Sequence, residues 1–104
     1  MARKMKKYED DLFERLKDQE YAVEYLNAVL EDTGDDQQER FLMALKDIAK
    51  AHGVANVANE SDVTREALYR ILSEKGNPEL ATLLSVLSAL GLKIRISTND
   101  KKAS

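Results

Sequence analysis

Apolar side chains recur along this chain at three- and four-residue intervals over most of its length, which predicts amphipathic helices. Tyr8, Leu12 and Leu16 mark a short first helix. The run Glu9, Asp10, Asp11 suits its first turn, where the helix dipole favours negative charge. Asp18 is a capping residue for a second helix, from about Gln19 to Glu31, with Ala22, Leu26, Val29 and Leu30 as its apolar stripe. Asp36 followed by Glu39 is a capping-box signature for a third helix reaching about Ala51, with Phe41, Leu45, Ile48 and Ala49 turned to the core. Gly53 then stops that helix. Asn77 and Pro78 predict the N-cap and first position of a Leu-rich helix (Leu80, Leu83, Leu84, Leu87, Leu90). Gly91 closes that helix, and Leu92 folds back on its last turn. From Leu92 to Ser97 the period changes to two, a strand signal. Three placements are open to that segment: pairing with a symmetry mate, addition to a partner's sheet, or an extended tail laid on the core.

The stretch 54–72 is central to the chain. Ala58 is small enough for two helix backbones to approach closely, Asp62 stands at a turn, and Val63, Leu68 and Ile71 follow at helix-packing offsets. Small residue, turn and apolar pair at this spacing form the pattern of a helix-turn-helix, whose second helix can enter a DNA major groove. Thr64 is the N-cap of that second helix, and Val63 is placed to staple onto Leu68. Its outer face is left with Arg65, Glu66, Tyr69 and Arg70, each able to meet a base edge or a phosphate.

Composition narrows the class. The 104 residues suffice for one small domain, and a single Pro among many Ala, Leu, Glu and Lys favours an all-α fold. No Cys is present, so disulfides and thiolate metal sites are excluded, which is compatible with a cytoplasmic location. No apolar run approaches the roughly 20 residues that a membrane span needs, so no membrane partner is expected. His52 is the one histidine and has no second His or Cys to complete a metal site. At a helix C-terminus it can instead serve the dipole. With no nucleophile–base pair, no phosphate-cradling Gly loop and no metal cluster, neither an enzyme nor a cofactor is expected.

The net charge of -3 is unevenly spread. Residues 1–8 carry +4, residues 9–36 carry -9, and residues 37–104 carry +2. Residues 1–8 therefore read as a basic flexible arm, for phosphate or minor-groove contact or simply for solubility. The helical domain is expected over 9–97, and 98–104 is expected to be a disordered tail. The acidic second quarter suits a basic partner surface or is a solvated face.

With these pieces placed, SDVTREALYRIL (61–72), GNPELATLL (76–84) and LGLKI (90–94) resemble the putative addiction-module antidote proteins, a HigA-like antitoxin group within the phage-repressor (Xre and Cro type) helix-turn-helix domains. YAVEYLNAVLED (21–32) is similar to that group's N-terminal helix, so the resemblance covers roughly residues 18–97. It implies a lambda-repressor-like bundle of five to six helices. It further implies a homodimer that binds an operator palindrome in double-stranded DNA, neutralises a cognate RelE/ParE-like toxin and represses the shared promoter. Carried over by position, Thr64 opens the recognition helix, and Arg65, Glu66, Tyr69 and Arg70 face the groove. Two departures stand out: Asp62 occupies the turn where many such domains have Gly, and Val54 stands where many have a phosphate-binding Gln. The motif region 53–78 holds 3 bases against 4 acids, which weakens its nonspecific attraction to DNA. An alternative is an interaction module of the same fold that binds a basic partner without reading DNA.

Overall fold

The computed structural model describes residues 2–73 and 75–99, with side chains from Lys7 onward. Among these residues there are six helices: α1 (Ala2–Leu16), α2 (Gln19–Glu31), α3 (Gln37–His52), α4 (Val54–Glu60), α5 (Arg65–Ile71) and α6 (Leu80–Ala89). The expected all-α class holds.

Helix α3 is the central beam. Leu42, Ala44, Leu45, Ile48 and Ala49 are buried along it, more of its circumference than the expected stripe, because it meets α1 and α2 on one side and α4 on the other. Helix α4 passes the packing on to α5 and α6 through buried Val57 and Ala58. Leu16, Leu26, Leu68, Leu72, Val86, Leu87 and Leu90 complete a single core. Burying each such side chain contributes about 1.5–3 kcal/mol.

Helix α1 begins at Ala2, so residues 2–8, read above as most of a basic flexible arm, lie within it. Its acidic run consequently sits mid-helix rather than in the first turn. The segment Ala2–Lys7 contains only good helix formers and no breaker, so nothing local stops the helix from extending N-terminally. Met1 and residues 100–104 of the expected tail lie outside the described residues.

Asp18 caps α2 as expected, its carboxylate accepting from the Glu20 amide at 3.0 Å. The capping box at α3 does not form. Asp36 makes no side-chain cap because its carboxylate accepts from Arg40 Nε at 3.0 Å. Arg40 also donates to the Asp32 carboxylate and to the Asp32 carbonyl, at 2.9 and 2.8 Å, and so ties the α2–α3 turn together.

Helix α6 starts at Leu80 rather than Pro78, with Glu79 extended before it and no side-chain cap. Gly76 is held by a bond from its amide to Ser73 O (2.9 Å) and one from Gln38 Nε2 to its carbonyl (3.3 Å). Residue 77 precedes Pro, which disfavours helical backbone there, and the backbone remains non-helical through Glu79, so α6 starts two residues later than expected. Leu87 and Leu90 are buried and Leu83 half-buried, but Leu80 and Leu84 remain 64% and 43% exposed. The helix packs on α4 along one flank, where Val86 is buried, and its N-terminal leucines overhang. At its other end Gly91 adopts φ 76°, with Leu92 N bonded to Leu87 O at 2.8 Å, so Leu92 folds back as expected.

The expected strand is absent: no strand occurs among the described residues, and 92–99 is an irregular strap without a ladder. Within one chain, Leu92 packs on the core and residues 93–95 lie alongside α2, as in the third placement; pairing with a symmetry mate or a partner's sheet would need a second chain. A strand needs a partner edge, and an all-helical chain supplies none.

Candidate functional site

The site expected on α5 is built by two local devices. The first is the turn. After α4, Asp62 takes φ 61°, Val63 N bonds to Ala58 O at 3.0 Å and Asp62 N bonds to Asn59 O at 3.2 Å. These are the paired 6→1 and 5→2 bonds of a Schellman ending, with Asp in the left-handed position usually held by Gly. The second is the cap. Thr64 is extended (φ -78°, ψ 162°) and its Oγ1 accepts from the Ala67 amide at 3.0 Å. Thr64 thus starts α5 abruptly, two residues after the turn.

Packing then sets which face of α5 looks outward. Leu68 and Leu72 are buried, and Val63, Ala67 and Ile71 are half-buried against the core side. Thr64, Arg65, Glu66, Tyr69 and Arg70 are all exposed. The structure therefore brings the five expected residues together on one short helix and its cap. The ion pairs among the described residues are Lys17–Glu14, Arg40–Asp32 and Arg40–Asp36, so neither Arg65 nor Arg70 pairs with a carboxylate among those residues.

A sixth residue escaped the sequence reading. Lys46 of α3 lines a narrow cleft with Tyr69, Ala49, Val54, Leu68 and Leu72, so a base stands beside the outward face of α5. Its position three residues before Ala49 could have signalled this, but only once α3 was known to pack beside α5. Val54, in the position where a phosphate-binding Gln was noted as common, is half-buried in that cleft and offers no donor. His52 Nε2 and Ser61 Oγ are buried and have no hydrogen-bond partner among the described residues. The His52 ring is thus partly inside the fold, beyond the role at the α3 C-terminus expected for it.

A second surface lies across α3 from this one. Two shallow grooves of about 570 Å³ each meet where the Tyr25 hydroxyl donates to Asp47 Oδ2 at 3.0 Å. Asp32, Asp36, Glu39 and Asp47 line one groove with Arg40, which pairs with Asp32 and Asp36, and Glu9, Asp47 and Lys50 line the other with Tyr8 and Phe13, so acids outnumber bases in both. Burial first, and then the Asp47 charge, push the Tyr25 hydroxyl up to about 12, so it stays a neutral donor. No group of three or more metal-ligating side chains occurs among the described residues. None of their helices is long and apolar enough to cross a membrane.

Comparison with known proteins decides the family. A family model described as "Probable addiction module antidote protein" matches residues 5–98. The chain belongs to this antidote family. An uncharacterized protein of Haemophilus influenzae (strain Rd) is 38% identical over 86 residues, covering 83% of this chain and 86% of the relative. No solved structure matches. Membership of an antidote family implies a cognate toxin as partner. The match takes in both α5 and the acidic surface, so both belong to the antidote unit.

Proposed function

We propose that this antidote is a HigA-like, Xre-type repressor of its own operon, using α4 and α5 as a helix-turn-helix. Two copies read an operator palindrome, and the same protein neutralises a RelE/ParE-like toxin in the cytoplasm. The observation that carries the reading is the clean division of α5. Leu68 anchors it, and Arg65, Glu66, Tyr69 and Arg70 are exposed beyond the Thr64 cap.

Each residue has a role in that reading. Arg65 and Arg70 contact guanine or phosphate, where a bidentate Arg–guanine pair is worth about 1–3 kcal/mol of discrimination. Tyr69 packs on a sugar or a thymine methyl, Glu66 accepts from cytosine N4, and Thr64 sets the helix start. Lys46 adds phosphate attraction that the near-neutral 53–78 segment lacks. One copy binds weakly for that reason, and two copies on half-sites about 34 Å apart, one DNA turn, bind well. The acidic grooves on α1–α3 suit the basic toxin. They lie away from α5, so toxin and DNA need not compete for the same residues.

Fluorescence anisotropy against the promoter upstream of the protein's own gene, with a scrambled duplex as control, tests this at two salt concentrations. The expected result is a promoter preference that persists at the higher salt. Arg70→Ala should lower operator affinity about tenfold or more with an unchanged helical circular-dichroism spectrum. Equal affinity for both duplexes would replace the repressor by the interaction module, whose acidic face binds the toxin without reading DNA.

A further inference from the structure

The face formed by α2 and the strap is built unlike the rest of the surface. Val23, Leu26, Leu30 and Ile94 line a groove of about 110 Å³, roughly one aliphatic side chain, with Phe41 and Leu87 also in its wall. Leu26 and Leu87 are buried, whereas Leu30 and Ile94 are 50% and 47% exposed. Two residues beyond Ile94, Ile96 stands 94% exposed. An aliphatic knob therefore projects close to an aliphatic groove that its own chain leaves open. Charge is arranged in the same paired way. Lys93 and Arg95 line the groove, and Glu20 and Glu24 line the adjoining recess with Val23 and Leu92. None of these four belongs to an ion pair found among the described residues.

We infer that two copies of this chain pair through this face, each placing Ile96 in the other's groove and its basic strap against the other's acidic α2. A two-fold interface is isologous, so one patch must carry both halves of every contact. Knob with groove, and base with acid, meet that requirement on a single face. Direct strap-to-strap ladder pairing fits less well. Antiparallel registers that set Ile94 opposite Ile94 or opposite Ile96 place Lys93 opposite Arg95 or Arg95 opposite itself, and like charges directly opposed are destabilising. Leu80 and Leu84 of α6 are exposed as well, but neither lines any of the grooves described above. The inference rests on the two-copy part of the function proposed above, but not on the reading of DNA.

Sedimentation equilibrium of the full chain over a wide concentration range tests it, with promoter binding followed separately. Wild type should be a dimer, and Ile96→Asp should weaken self-association about tenfold or more without loss of helicity. Lys93→Glu with Arg95→Glu in one protein, and Glu20→Lys with Glu24→Lys in another, should each be monomeric alone. Mixed, they should form a heterodimer in which both acid–base contacts are restored. Because these positions are exposed, each variant should fold, and circular dichroism checks that. A wild-type dimer that survives Ile96→Asp and both charge variants would overturn this interface and leave the two-copy reading standing, with α6 the next face to test. A wild-type monomer would overturn both. A dimer that shows no promoter preference would leave the interface intact and remove only the repressor.

Discussion

Asp62 holds the α4–α5 turn at φ 61°, and its replacement gives the sharpest test of how this fold presents α5. For an L-residue the left-handed region costs roughly 1–2 kcal/mol, less for Asp or Asn, and nothing for Gly. Asp also places a negative charge at the C-terminal end of α4, where the helix dipole disfavours it by about 0.3–1 kcal/mol. Asp62→Gly relieves both effects but raises the entropy of the unfolded chain, worth about 0.5–1 kcal/mol in the opposite direction. The net expectation is neutral to about 1 kcal/mol more stable. Asp62→Asn removes only the charge and should gain a few tenths of a kcal/mol. Asp62→Val forces a β-branched residue into the strained region and should lose about 1–3 kcal/mol. For a domain of this size each kcal/mol moves the melting midpoint by about 4 °C. Thermal unfolding followed by circular dichroism should therefore rank Gly and Asn at or above wild type and Val well below. The Schellman bonds from Val63 and Asp62 fix where α5 leaves the turn, so Asp62→Val should also weaken promoter binding below its melting temperature. A Val variant that melts with wild type would show that the turn is not held in the left-handed region, and the account of α5 would fall with it.

Two further perturbations bear on packing and titration. At Gly76 a Cβ would lie 2.1 Å from the carbonyl oxygen of Ile71 and 2.9 Å from its carbon, both backbone atoms. Gly76→Ala should therefore cost about 1–3 kcal/mol and lower the urea midpoint with an unchanged slope, and an unchanged midpoint would refute the close crossing of α5 and the 76–79 segment. Tyr25 is raised from 10.0 to about 12 by burial and by Asp47, so the fold favours its neutral form. That contribution is complete below pH 10, fades as pH rises from 10 towards 12, and should vanish from the wild-type-minus-variant stability difference in Tyr25→Phe. A difference that stays flat across this window would show that the Tyr25 hydroxyl is not held neutral by its burial and by Asp47.

What the sequence determined by itself is what a few neighbouring residues can settle. Asp18 and Thr64 satisfy amides two and three positions ahead, Asp62 and Gly91 take the left-handed endings, and the three- and four-residue period of the apolar residues marks the helices. The outward set Thr64, Arg65, Glu66, Tyr69 and Arg70 was legible for the same reason, since one buried anchor, Leu68, orients a helix of two turns. Only the tertiary structure decided matters that depend on residues far apart in the chain. Arg40 takes the Asp36 carboxylate away from its cap, Gln38 bonds to the Gly76 carbonyl, and Lys46 comes to line one cleft with Tyr69. The strap shows the limit most clearly. Its alternation of apolar and polar residues is a real strand pattern, but a strand is a relation between two chain segments, and this chain provides helix α2 where the second strand would have to be.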